Sequence, residues 1–151
     1  MKNPKVNKII IGADHLGKDL KDSIKEHINN QGYEIEDIGV SSNDPVDYPD
    51  IGSELAKRIS NKEFDRGILV CGTGAGMAIV ANKFNGVRAV SVNDAYTAER
   101  AIASNNAQVI TFGALITGAP NAKMYTDIWL SNDFQSERSG HKVAKIDAID
   151  S

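Results

Sequence analysis

The chain of 151 residues carries 17 Lys+Arg against 20 Asp+Glu, a formal charge of -3, and 41% hydrophobic residues. That length fits one domain, spanning 1–151, able to bury roughly 70% of its unfolded surface without metal or disulfide staples. No basic block supports nucleic-acid binding, no apolar run approaches a membrane span, and the single cysteine, Cys71, excludes both an internal disulfide and a CxxC metal site.

Lys8–Ala13 is an apolar run that reads as a buried strand. Leu16, Leu20, Ile24 and Ile28 are spaced by four and predict one face of a helix, closed by Asn30–Gly32 with Gly32 at C′. Tyr33–Ile38 alternates and reads as a second strand nearer an edge. Ile51, Leu55 and Ile59 repeat the helical spacing, with Pro49 suited to the first turn. Gly67–Val70, Val87–Val92 and Gln108–Phe112 supply three more strands, separated by Ala-rich helices over 74–84 and 94–105. Pro120 starts a further helix with Met124 and Ile128 on one face and Trp129 flanking it. After the polar stretch Ser131–Gly140, residues Val143, Ile146 and Ile149 mark a last helix.

This alternation predicts an α/β fold, a Rossmann-like three-layer sandwich around a five-stranded parallel sheet. Such sheets bind ligands beyond the C-terminal ends of their strands. The expected chemistry therefore lies just after residues 12, 38, 70, 92 and 112. With no apolar leader behind Met1–Val6, the chain reads as cytoplasmic.

The first strand exits into Gly12–His15. The plain reading of Asp14 is a helix N-cap, with His15 exposed in the first turn; the functional reading places an acid and an imidazole on the binding rim. The third strand exits into Cys71-Gly72-Thr73-Gly74-Ala75-Gly76, whose alternate glycines let the backbone turn its N–H groups toward an anion. Met77 falls where a dinucleotide fingerprint needs its third glycine, and no Lys-Ser/Thr closes a Walker loop. Cys71 reads either as a small buried hydrophobe or as a base or nucleophile, since a helix N-terminus favours a thiolate. Lys83 and Arg88 read as surface charges, and His27 as a core-edge residue. Arg138, His141 and Lys142 gather cationic groups near a helix start, where the dipole disfavours them and a phosphate partner explains them better.

These residues together resemble the ribose-5-phosphate isomerase B family, which includes the galactose-6-phosphate isomerase subunits. The likeness runs through Gly12–His15, Asp47–Pro49, Cys71–Met77, Ala81–Lys83, Gly86–Ala89, Asn105–Ala107 and Phe112-Gly113. It implies a cofactor-free, metal-free aldose–ketose isomerase of a sugar phosphate, with ribose 5-phosphate ranked first. It further implies a homodimer or tetramer with active sites shared between subunits, and a C-terminal helix (about 136–150) packing on the partner. By the same resemblance Cys71 is the base and Thr73 with the amides of 72–76 stabilises a cis-enediolate. Asp14, His15, Tyr48, Gly72, Gly74, Ala75, Gly76 and Asn105 bind the sugar, while Arg138, Lys142 and His15 meet the phosphate. A second branch of the family places a glutamate base where this chain has Met77.

Three positions depart from the family pattern. Ser104 stands where a ring-opening histidine is usual, Leu115 replaces an arginine, and Lys142 replaces the second arginine of the phosphate clamp. These departures keep open galactose or allose 6-phosphate, a tetrose 4-phosphate that forms no ordinary furanose, or a weakly active sugar-phosphate-binding subunit. A receiver-like signalling domain is set aside, because Cys71 and Phe112-Gly113 occupy the places of its aspartate and lysine.

Overall fold

The computed structural model describes residues 2–150. Strands β1 (Lys8–Ala13), β2 (Glu34–Asp37), β3 (Arg66–Cys71), β4 (Ala89–Ser91) and β5 (Val109–Gly113) form one sheet, every neighbouring pair parallel, in the order β2-β1-β3-β5-β4. The helices are α1 (Lys18–Asn29), α2 (Tyr48–Ser60), α3 (Ala75–Ala81), α4 (Ala95–Ala103), α5 (Ala119–Ser131) and α6 (Ser136–Asp147).

The pleat sends alternate residues of each central strand to opposite faces. Ile9, Ile11, Ile68, Val70, Ile110 and Phe112 pack under α1, α4 and α5. Ile10, Leu69, Cys71 and Val109 pack under α2 and α3 on the other side. A sheet buried on both faces accounts for the unbroken apolar runs of β1 and β3. The α/β three-layer sandwich expected from the sequence is the fold that forms. From β1 the chain passes to β2 on one side, while β3 lies on the other, so a crevice opens between the carboxyl ends of β1 and β3. No helix of the described residues is long and apolar enough to cross a membrane.

Several local expectations are corrected. The first helix starts at Lys18, leaving Leu16 outside it and 52% exposed. Its C-cap is Asn30, so Gly32, at φ +93°, lies one position beyond C′. Strand β4 spans only Ala89–Ser91; ahead of it the Asn82 side chain caps Ala89, accepting from its N–H at 2.8 Å and donating to its carbonyl at 2.9 Å. In α5 the buried centre is Trp129, whose Nε1–H donates to the Ala107 carbonyl at 3.0 Å, while Met124 faces solvent. Helix α6 begins inside the polar stretch, burying Ser139 and Val143 and leaving Ile146 and Ile149 exposed. Arg88 is no free surface charge. It donates to the Asn106 carbonyl at 3.1 Å and to Asp147 at 2.6 Å, tying α6 to the chain entering β4.

Under α1, Lys21 is 1% exposed and its Nζ lies 2.7 Å from Asp37 and 3.0 Å from Asp22. A buried lysine requires such partners. Burial pushes the Asp37 carboxyl up, but bonds from Lys21, the Gly39 amide and Lys25 outweigh it and hold the group below its ordinary 3.8. A carboxyl depressed by folding contributes stability above its unfolded value and loses it as pH falls through the folded value. Asp37→Asn is therefore expected to lower Tm at pH 6, with the gap to wild type closing as pH drops below about 4. Thermal melts from neutral to acid pH check this, and a gap that widens on acidification contradicts it.

Candidate active site

Where β1 ends, Asp14 is 4% exposed and its Oδ1 accepts from the N–H groups of Leu16 and Gly17, both at 3.0 Å. Its own N–H donates to the Val70 carbonyl at 3.2 Å, locking this exit against β3. The carboxylate thus caps the turn before the helix, not the helix itself, whose N-cap is Gly17. That turn swings Leu16 outward. The Asp14 Oδ2 accepts no such bond among the described residues and is open to a ligand hydroxyl.

At the end of β3, Cys71 is 5% exposed and its Sγ accepts from the Gly74 N–H at 3.1 Å. Such a bond strengthens when the sulfur carries charge. Gly74 takes φ +80°, and a Cβ there would sit 2.9 Å from the Phe112 backbone, so glycine is required for the loop to close on β5. The Thr111 hydroxyl donates to the Gly74 carbonyl at 2.7 Å and fixes it from beneath. Thr73 is exposed and its Oγ1 accepts from the Ala75 N–H at 3.2 Å. The amides of Gly74 and Ala75 are thus engaged within the loop, which leaves those of Gly72, Thr73 and Gly76 as the donors to consider for a ligand.

Tyr48 opens α2 directly over Gly76, where a Cβ would overlap its ring. Asp14, Tyr48, Cys71, Gly72, Thr73 and Gly76 line a cavity of about 290 Å³, with Leu16 and Leu115 at its mouth. Asp14 is the only carboxylate in that lining, and no cation belongs to it. His15 stands beside it, half-buried, its Nδ1 accepting from the Val46 N–H at 3.2 Å. That bond places the proton of the neutral ring on Nε2. Met77 is fully buried against Gly52, away from the cavity.

The remaining predicted residues lie elsewhere. Cys71 pairs with Gly113 at one end of β5, whereas Ser104 and Asn105 end α4 ahead of Val109 at the other. Four strand steps between Val109 and Gly113 alone put roughly 13 Å between the two ends. The Gln135 N–H donates to the Ala103 carbonyl at 2.9 Å, so α6 starts beside Ser104. Arg138, His141 and Lys142 are exposed on α6. Within one chain the thiol lies at the carboxyl ends of the strands and the start of α6 at their amino ends. Leu16 at the mouth escaped the sequence reading, because its spacing from Leu20 pointed to a helix face and nothing local marks the turn at Asp14.

The model of the ribose/galactose isomerase family matches residues 9–146. A ribose-5-phosphate isomerase B of Listeria innocua is 44% identical over 143 residues, covering 95% of this chain and 97% of that protein. A D-erythrulose-4-phosphate isomerase of Pectobacterium atrosepticum is 44% identical over 140 residues, 91% of each chain. The structure of Clostridium thermocellum ribose-5-phosphate isomerase B superposes with a TM-score of 0.91 at 40% identity, covering 94% of this chain and 96% of that one. A cysteine-and-glycine cavity at the switch point of a parallel sheet, matched over nearly the whole chain, leads to one conclusion. The chain belongs to the ribose/galactose isomerase family of sugar-phosphate isomerases.

Proposed function

We infer that the chain is an aldose–ketose isomerase that converts ribose 5-phosphate to ribulose 5-phosphate, with Cys71 as the base. The observation that carries this reading is a thiol on the cavity wall, held by a backbone N–H at 3.1 Å and flanked by Asp14 and Thr73. Cys71 takes the C2 proton and returns it to C1 on one face of a cis-enediolate, while the hydroxyl proton passes from O2 to O1. Thr73 and the uncommitted loop amides meet the developing charge on the enediolate oxygens. Asp14, through its open Oδ2, orients a substrate hydroxyl, and Tyr48 walls the site. No cofactor enters this scheme.

The cavity supplies no cation for the phosphate. Arg138 and Lys142 lie toward the opposite end of the strands in the same chain, so a second copy supplies them, together with Ser104, Asn105 and the start of α6. His15 adds its Nε2–H from the cavity side. The assembly is then a homodimer, or a tetramer of such pairs, with each site completed across the pair.

One observation favours a second reading. Ser104 carries no group that titrates near neutrality, and the relative named for erythrulose 4-phosphate matches this chain at the same 44% as the ribose-phosphate relative. A tetrose 4-phosphate needs no ring opening, so a serine there costs it nothing. Purified protein assayed without added cofactor against ribose 5-phosphate, erythrulose 4-phosphate, and galactose and allose 6-phosphates separates the two. Turnover of ribose 5-phosphate with the highest kcat/KM supports the first reading. Preference for erythrulose 4-phosphate moves the assignment to the second, and no turnover of any of them overturns both.

A further inference from the structure

The buried Lys21–Asp37 pair plays no part in the chemistry above, yet it stands directly behind the site. Asp37 Oδ2 accepts from Lys21 Nζ at 2.7 Å, and its Oδ1 accepts from the Gly39 N–H at 2.8 Å. The Gly39 carbonyl in turn accepts from the Ala13 N–H at 2.8 Å, and the Val40 N–H donates back to the Ala13 carbonyl at 2.9 Å. Ala13 is the residue before Asp14. The corner at 39–40 therefore grips β1 on both sides of its last residue, immediately before the carboxylate that faces the cavity.

The same corner is the root of the loop over 40–47. That loop returns to the site twice. The Val46 N–H donates to His15 Nδ1 at 3.2 Å, and the loop ends in Tyr48, whose ring lies on Gly76. Buried Lys21, with half-exposed Lys25 3.2 Å from the same Asp37 oxygen, thus holds a corner that adjoins Asp14 and leads through the loop to His15 and Tyr48. Lysines are seldom 1% exposed, and this one is buried on the same helix as Leu20 and Ile24 with its ammonium on Asp37 and Asp22.

We propose that Lys21 is a positioning residue of the active site, acting through Asp37 and the Gly39–Val40 corner to set Asp14 and the Tyr48 loop against the substrate. The inference rests on the isomerase reading above and adds the residue that pre-organises its binding side. Asp14, His15 and Tyr48 bind substrate, whereas the Cys71 thiol is held by the Gly74 N–H, and Gly74 in turn by the Thr111 hydroxyl. Loss of the anchor therefore falls on KM more than on kcat.

The test compares wild type, Lys21→Met, Asp37→Asn and the double variant, with ribose 5-phosphate as substrate and iodoacetamide as a probe of the Cys71 thiol. Lys21→Met leaves the Asp37 carboxylate with Lys25 as its remaining lysine and costs stability; Asp37→Asn keeps the shape and the acceptor for Gly39, and the double variant removes both charges together. Each single variant is expected to raise KM about tenfold with kcat within about threefold of wild type and the Cys71 alkylation rate unchanged. Because both residues act along one path, the double variant should raise KM no further than the larger single effect. An unchanged KM in the Asp37→Asn or double variant whose melt shows it folded overturns the proposal. So do two KM effects that multiply, or a parallel fall in kcat and alkylation rate. Wild type that turns over none of the sugar phosphates overturns the isomerase reading itself, and the positioning role with it.

Discussion

Replacing Cys71 by alanine is expected to lower kcat by about 10²–10⁴, the range spanned by removal of a general base. Binding should survive. The substitution removes one sulfur from a side chain 5% exposed and leaves Asp14, Thr73 and Tyr48 in place, so KM or the dissociation constant of a competitive sugar-phosphate inhibitor should move by no more than about threefold. The fold should survive as well. Cys71 packs on the α2–α3 side of the sheet, and its bond from Gly74 is one of several that hold the loop, others coming from Thr111 to the Gly74 carbonyl and from the Leu115 N–H to the Gly72 carbonyl. Steady-state kinetics and an inhibitor titration on the same preparation check both halves. Residual turnover above about a tenth of wild type would shift the base role to Asp14, the one carboxylate of the cavity.

The second large effect concerns residues far from that thiol in the same chain. Arg138 and Lys142 lie one turn apart on α6, exposed, and no acid is paired with either among the described residues. Removing a charged hydrogen-bond partner of a phosphate costs about 1.5–3 kcal/mol, or about 10- to 100-fold each. Arg138→Ala with Lys142→Ala should therefore lower kcat/KM by about 10²-fold or more, mainly through KM, without altering the Cys71 alkylation rate. Under the proposed pairing, two sites that lie apart in one subunit are brought together across two subunits.

The strands and the Cys71–Gly76 loop are legible because their signals are local. Six residues from Cys71 to Gly76 contain the thiol, its amide donor and the left-handed glycine, so spacing alone brings them together. The apolar runs of β1 and β3 mark strands covered on both faces. What sequence periodicity misplaced depended on contacts distant along the chain. Leu16 follows the helical spacing but is turned out by a carboxylate two residues earlier. Trp129 lies at the buried centre of α5 because its ring N–H reaches Ala107 and Arg66 stacks over it at 5.0 Å, neither of which is visible in the pattern around Met124. Arg88 reads as a surface charge until Asp147 arrives 59 positions later. The separation of Ser104 and Arg138 from Cys71 likewise follows from the direction of β5 in the sheet, which no motif records.

The central claim is that the Cys71 cavity of one subunit works with the α6 cations of another. Co-expression of Cys71→Ala with Arg138→Ala/Lys142→Ala under two affinity tags, followed by capture through both, isolates the mixed pairs. In each such pair one site joins two damaged halves and the other joins two intact ones, so turnover of ribose 5-phosphate should recover to about half that of wild type. Activity no higher than that of the two variants purified separately would contradict a shared site.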